Sequence, residues 1–332
     1  MKTKQIIVGI DVSKATLDVF IHGFRYYFKV DNTPQGFVSL LETSCSVANC
    51  QKQDLFFCFE NTGKYTRMLS VFLHTQSIKF VMEPALKIKK SMGITRGKND
   101  KVDAKRIANY AYEKRESLVA TVLPDEKIDQ IKSLLSLREK LIKHQTAYKN
   151  GLTDLNDCYK DGENDMIKEI QERLIDSLKK EIEKIEGQIF SIIRADESFA
   201  KNFDLIFSVK GIGPIIAFYL IAYTANFTLF ANARAFACYV GIAPFASSSG
   251  TVVGKSHVHS LGDKKLKSLL NLAAKTVIQR KGEYQQYYYR RVNELGKNKM
   301  STLNIIRNKI VYRVFAVVQR ETPYVDLYKF AA

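Results

Sequence analysis

Ile6 to Ile10 is an apolar, β-branched run that ends at Asp11. Leu17 to Ile21 is a second such run, and Tyr26 to Val30 alternates apolar with polar positions. Runs of this length and period predict three short strands in succession, a meander. Thr33 followed by Pro34 predicts a helix to about Ala48, with the proline in its first turn. Asp54 to Glu60, DLFFCFE, reads as a buried strand, and Thr62 and Gly63 open a helix to about Thr75. Ile78 to Met82 is a further strand, Glu83-Pro84 opens the next helix, and Asp100 to Arg115 is a helix with Ala, Ile and Tyr on one face.

Three strands followed by alternating helix and strand is the element order of a ribonuclease-H-like domain. An actin-like kinase domain begins the same way. That fold needs glycine-rich phosphate loops further along, and the chain offers only GIG at Gly211 to Gly213. Pro124 marks a change of pattern. Beyond it, Ile131, Leu134, Leu141, Tyr148, Leu152 and Leu155 are spaced by threes, fours and their sums, and Leu178, Ile182, Ile185, Ile189 and Ile192 repeat by four and three. Asp161-Gly162 interrupts them, which predicts two long helices in an antiparallel, coiled-coil-like pair. From Phe199 onward helices dominate, broken by a Gly- and Ser-rich stretch from Gly241 to Gly262. The predicted organisation is an α/β domain over 1–123, a helical hairpin over 124–198 and a mainly α-helical C-terminal domain over 199–332.

Charge adds a partner. The net charge is +17, and the surplus is concentrated late. From Gly250 onward sixteen Lys and Arg face five Asp and Glu. A regional surplus of this size favours a polyanion, nucleic acid first. Five scattered cysteines lack zinc-ligand spacing, and the N-terminal apolar run is too short for a signal peptide. No stretch approaches a membrane span, so the expected location is the cytoplasm of a bacterium.

The candidate chemistry falls into two sets. Asp11 and Glu60 each end a strongly apolar strand, and Asp100 and Asp103 lie three apart on one helical face. Such carboxylates can converge on magnesium, which takes oxygen ligands and assists phosphoryl transfer. Each acid taken alone is equally a turn residue or a helix cap. The second set lies late. Lys210, Gly211 and Gly213, in SVKGIGPIIAFYL, resemble a helix-hairpin-helix turn that holds a DNA backbone, or form a plain tight turn. Ser247, Ser248 and Ser249 precede Gly250, with Lys255, His257 and His259 close behind. That composition suits a nucleophilic serine beside a phosphate, and it also suits an ordinary loop. Arg290 and Arg291 follow YQQYYY, where arginines and aromatics could meet nucleic acid or pack as a rim.

Five ordered motifs carry a resemblance across nearly the whole chain: GIDVSK at Gly9 to Lys14, FENTGKY at Phe59 to Tyr65, KNDKVDA at Lys98 to Ala104, GIGP at Gly211 to Pro214, and GIAP at Gly241 leading to Ser249-Gly250. Together they resemble the insertion-sequence transposases with a DEDD carboxylate set and a C-terminal serine domain, relatives of the Piv-type DNA invertases. The resemblance implies a RuvC-like fold in which Asp11, Glu60, Asp100 and Asp103 bind divalent metal, magnesium above all. It implies that Ser249, with Ser248 as the fallback, attacks DNA and becomes covalently joined to it. It implies a structured non-coding guide RNA that pairs with donor and target DNA, and an oligomer, dimer or tetramer, that shares its catalytic groups between subunits. The expected function is RNA-guided excision and insertion of a mobile element. A metal-dependent nuclease and a non-catalytic nucleic-acid-binding protein are the alternatives.

Overall fold

The structure, a computed structural model, describes residues 5–61, 63–91, 99–159, 164–245, 248–249, 252–253, 257–258 and 262–326. The chain divides into two compact units, Met1–Leu123 and Pro124–Ala332.

The first unit is built on one sheet. Its strands are β1 (Ile6–Val12), β2 (Thr16–Ile21) and β3 (Tyr26–Asp31), then β4 (Leu55–Glu60) and β5 (Lys79–Glu83), with helix α1 (Pro34–Ala48) before β4 and helix α2 (Lys64–Thr75) after it. Helices α3 (Ala85–Ser91) and α4 (Asp100–Lys114) follow β5. The strand order is β3-β2-β1-β4-β5. The first three strands are antiparallel neighbours, as the meander pattern predicts, while β1, β4 and β5 run parallel. Parallel neighbours require crossovers, and α1 and α2 supply them. Thr33 caps α1 by accepting from the Gly36 amide, with Pro34 in the first turn.

Side chains alternate across the sheet. Val8, Ile10, Leu55, Phe57 and Phe59 pack with Phe37, Leu40 and Leu41 of α1 and Leu69 and Leu73 of α2. Ile7, Phe56, Cys58 and Val81 face the other way, onto Ile88 of α3 and Ile107, Tyr110 and Ala111 of α4. Burial on both faces explains why DLFFCFE carries no polar alternation. Gly9 lies on the α4 side. A Cβ built there would stand 2.3 Å from the Ala108 amide nitrogen and 2.6 Å from the Ala104 carbonyl oxygen. Strand β1 and helix α4 therefore meet backbone to backbone.

The second unit opens with α5 (Glu126–Cys158) and α6 (Asp165–Arg194). Lys127 pairs with Asp196, Arg138 with Glu186, and Gln145 donates to the Ile175 carbonyl. The start of one helix thus meets the end of the other, an antiparallel pair. Burial concentrates at Ile128, Ile131, Leu135, Ile182, Ile185, Ile189 and Ile193, whereas Met166 and Ile167 near the tip are exposed. Leu135 and Ile193 are enclosed more fully than Leu134 and Ile192, which the heptad spacing favours. The reason is tertiary: α5 also packs on the helix Pro214–Thr224 and α6 on the helix Glu197–Phe207, so the seam turns toward a third layer.

That layer contains α7 (Glu197–Phe207), α8 (Pro214–Thr224) and α9 (Ala233–Val240). Four two-residue strands follow: β6 (Pro244–Phe245), β7 (Ser248–Ser249), β8 (Val252–Val253) and β9 (His257–Val258). Helices α10 (Lys264–Gln279), α11 (Glu283–Tyr289) and α12 (Lys299–Arg320) complete the unit, with a π-helical turn at Arg290–Glu294. One hydrophobic core joins α5 to α12 through residues such as Tyr219, Phe236, Leu270 and Ile310. Tyr219 is buried, and its hydroxyl donates to Glu139 of α5 at 2.5 Å. No helix among the described residues is long and apolar enough to cross a membrane.

Candidate functional site

The strand register sets out the first site. Asp11 pairs with Asp18 across β1 and β2, and Glu60 pairs with Glu83 across β4 and β5. Ile10 faces Phe59, which brings Asp11 level with Glu60. By the alternation rule Asp11 shares a face with Gly9, Asp18 with Phe20, Glu60 with Cys58, and Glu83 with Val81. All four acids therefore form a row on the face covered by α3 and α4. Asp100 and Asp103 stand in the first turn of α4, with Asn99 capping it through the Lys101 amide. The backbone contact at Gly9 brings that turn over the end of β1.

The outer acids of the row are already countered. Asp18 is buried, accepts a 2.5 Å hydrogen bond from the Tyr27 hydroxyl and lies 3.4 Å from Lys29 Nζ. This bond pushes the Tyr27 hydroxyl up to about 12. Glu83 is buried and paired with Lys87 at 2.7 Å. The inner acids have no such neighbour: among the described residues no cation lies within ion-pair distance of Asp11 or Glu60. Burial first, and then the charges of Asp103, Glu60, Asp100 and Asp18, raise the Asp11 carboxyl to about 6. Burial and Asp103 raise Glu60 as well. Two half-buried carboxylates raised by neighbouring acids lack a positive charge beside them.

Asp103 is partly satisfied, since Arg106 one turn on donates to it at 2.8 Å. Among the described residues no three His, Cys, Asp or Glu side chains stand close enough to hold an ion. Repulsion acts over a longer range than coordination, so the two observations agree. Asp11 senses the other three acids across a gap, and Asp103 is engaged by Arg106. Sequence reading finds Asp11, Glu60, Asp100 and Asp103 but not Asp18, Glu83, Arg106 or Tyr27. Glu83 carries the signal used for its neighbours, an acid that ends an apolar strand. Asp18 stands inside one, in TLDVFI, where a charge needs a partner.

In the second unit, Gly211 turns the chain between α7 and α8 with φ +88°. A Cβ there would meet Val277 Cγ1 at 2.6 Å and the Ala273 carbonyl oxygen at 3.0 Å, so this glycine serves both the turn and close packing on α10. Gly213 has open space around its Cα. Lys210 is ion-paired with Asp326, and Tyr324 donates its amide to Ser208 Oγ at 2.8 Å. The C-terminal segment therefore lies along this turn.

Ser248 and Ser249 pair with Val253 and Val252 in a tight antiparallel ladder, nested inside a second ladder of β6 with β9. The base of this segment is fastened from outside. Asn304 and Asn308 of α12 both donate to the Ile242 carbonyl at 2.9 Å, and Arg234 donates to the Pro244 carbonyl at 2.9 Å. Ser247, Lys255 and His259 lie outside the described residues. Arg290 is exposed, and Arg291 lies 5.7 Å from the Tyr287 ring centroid. Tyr284 of the same aromatic run is buried in the core, so only part of YQQYYY can meet a ligand.

A carboxylate row facing a helix that carries two more acids, together with a basic helical unit, suits an enzyme that acts on nucleic acid. Comparison with known proteins supplies the family. A family model described as "Transposase", of the DEDD type of IS110, matches residues 8–158, and one described as "Transposase IS116/IS110/IS902 family" matches residues 204–290. The chain belongs to the IS110/IS116 family of transposases. It is 27% identical over 329 residues to the pilin gene-inverting protein of Moraxella lacunata, covering 96% of this chain and 97% of that one, and equally similar to its counterpart in Moraxella bovis. A probable family 20 transposase of Pseudomonas aeruginosa is 28% identical over 114 residues, 34% of this chain and 32% of that one.

Proposed function

We propose that this transposase exchanges DNA strands through a covalent serine–DNA link, directed by a structured RNA, with a RuvC-like first unit that holds divalent metal. The observation that carries the reading is the row of acids whose outer members are neutralised and whose inner members are not. Asp11, Glu60, Asp100 and Asp103 would hold the metal; oxygen donors of this kind suit magnesium. Bound there, it would supply positive charge to exchanging phosphates. This chain's own part is to keep Asp11 and Glu60 unpaired, to fix α4 against β1, and to hold Asp103 through Arg106 until that charge arrives.

Ser249 is the proposed nucleophile. Its Oγ attacks the phosphorus, an Oγ–P bond forms, and one P–O bond to deoxyribose breaks. The serine proton goes to a base and the leaving oxygen takes a proton, so nothing is oxidised or reduced. A second attack, by a deoxyribose hydroxyl, would release the serine and rejoin DNA. Lys210, Gly211, Gly213, Lys255, Arg290 and Arg291 would hold backbones while RNA pairing reads sequence. The working domains would be 1–123, 124–198 and 199–332, and the exposed apolar tip of the α5–α6 pair supports a homo-oligomer.

The test is a covalent adduct. Protein, junction DNA of the element, its non-coding RNA and magnesium are combined and run on a denaturing gel. Wild type is expected to give an adduct that Ser249→Ala abolishes. Cleavage that survives Ser249→Ala but not Asp100→Ala would mean a metal nuclease and reject the serine link. A smaller effect is expected at Arg290. Arg290→Ala should weaken binding to DNA of any sequence, and the slope of log affinity against log salt should become shallower by about 0.9 for each phosphate no longer neutralised.

A further inference from the structure

Past α12 the chain turns at Glu321, with φ +55°, and runs back along the turn between α7 and α8. Three contacts hold it there. Lys201 of α7 pairs with Glu321 at 2.6 Å, the Tyr324 amide donates to Ser208 Oγ at 2.8 Å, and Asp326 is ion-paired with Lys210. The Tyr324 ring packs against the core of the second unit, 5.2 Å from the Arg313 guanidinium. Tyr324 is thus the anchor, and it carries Asp326 onto Lys210. The Asp326 side chain is 10% exposed and that of Lys210 31%, so the pair is largely shielded from water.

Lys210 has a second neighbour besides Asp326. It lines a cavity of about 290 Å³ together with Gly211, Thr276, Arg280, Lys281 and Glu283. Its Nζ lies 3.4 Å from where a Cβ on Gly282 would stand, so the ammonium itself is at the cavity wall. Arg280 and Lys281 are exposed, and among the described residues neither takes part in an ion pair. The acid in the lining, Glu283, is engaged by Arg313. If Asp326 withdrew, Lys210, Arg280 and Lys281 would border one space with no free carboxylate among them. Such a space attracts an oxyanion. Carboxylate and phosphate oxygens are interchangeable acceptors for an ammonium, and a phosphate offers charge to several cations at once.

We propose that Lys210, Arg280 and Lys281 form a binding site for a DNA backbone phosphate, and that Asp326 holds Lys210 in the phosphate's place until DNA displaces it. This rests on the reading of the Gly211 turn as a DNA-backbone contact, and does not depend on the serine. It adds Arg280 and Lys281 to that contact and makes the C-terminal segment a competitor of DNA. The ligand is a backbone phosphate, so the site accepts any base sequence. A strongly basic protein thereby keeps one of its DNA contacts covered against weak, indiscriminate binding.

The test is binding of the full chain to a short fluorescent duplex of arbitrary sequence at one fixed salt concentration. Asp326→Asn keeps the shape of the side chain and removes its charge. It is expected to bind about fivefold more tightly than wild type, the equilibrium value of one partly exposed ion pair. The gain should vanish when Lys210→Ala is added, because no ammonium is left to free. Arg280→Ala and Lys281→Ala, each made in Asp326→Asn, should make the slope of log affinity against log salt shallower by about 0.9. Asp326→Glu keeps the charge and should bind as wild type. If Asp326→Asn binds no better than wild type while Lys210→Ala weakens binding, the turn holds DNA and the competition is rejected. If the gain survives Lys210→Ala, it reflects only the loss of a negative charge, and the proposal is overturned. An unchanged salt slope in Arg280→Ala and Lys281→Ala overturns the phosphate site. If Lys210→Ala alters binding in neither background, the turn does not hold DNA, and the underlying reading falls together with the proposal. Melting of Asp326→Asn well below wild type would show that the pair serves the fold, which also overturns it.

Discussion

Gly9→Ala should damage the first unit more than any other single methyl group added to β1. The new Cβ would lie 2.3 Å from one backbone atom of α4 and 2.6 Å from another. Backbone cannot swing aside as a side chain can, so α4 must move as a whole. Overpacking typically costs about 1–3 kcal/mol where side chains can yield, and here the cost should reach or exceed about 3 kcal/mol. Thermal melting followed by circular dichroism checks it. Because α4 carries Asp100 and Asp103, the variant should also bind magnesium more weakly than wild type under conditions where both are folded. A Gly9→Ala protein with wild-type melting would show that β1 and α4 do not meet as described.

Asp11→Asn should act in two directions at once: it should abolish strand exchange and stabilise the metal-free protein near neutral pH. The Asp11 carboxyl stands at about 6 when folded, against an ordinary 3.8. A raised value means that the folded chain holds this proton more tightly than the unfolded chain does. Stability therefore falls as pH rises from about 4 to about 6, and the cost stays in full above that window. Two pH units correspond to about 3 kcal/mol, and solvent access to a half-buried group reduces this to about 1–2 kcal/mol. Wild type should accordingly melt higher at pH 5 than at pH 7 in chelator, with Glu60 adding in the same direction. Asp11→Asn should flatten the difference, and magnesium should raise melting of wild type more than of the variant. Equal pH profiles for the two proteins would remove the electrostatic basis of the carboxylate site.

Much of the first unit is legible in the order of its residues. The β-branched runs and the apolar DLFFCFE specify strands, and burial on both faces explains the missing alternation of the latter. The acids at Asp11 and Glu60 are visible for the same reason, since a charge directly after a buried strand must lie at its rim. The relation between them is not visible. Which acids stand side by side depends on register between β2, β1, β4 and β5, and register is a property of pairing. Asp18 escapes a reading of the sequence because its partners, Tyr27 and Lys29, lie across a hairpin. In the second unit the heptads specify two long helices but not the rotation that favours Leu135 over Leu134, which packing on α8 decides. GIGP shows its turn, whereas the packing of Gly211 on Ala273 and Val277 joins residues more than sixty apart. The clamps on Ile242 come from Asn304 and Asn308, and no local pattern announces them.

Those clamps have a consequence for how such a protein can change over generations. The serine segment is held at its two ends, by α12 and Arg234 on one side and by the pairing of His257–Val258 with Pro244–Phe245 on the other. Among the described residues, nothing that fixes the ends lies between them. Lengthening a closed loop between such ends costs little, about 0.6 kcal/mol per doubling. Lineages descended from one ancestor could vary the length of chain around the serine while inheriting the scaffold intact.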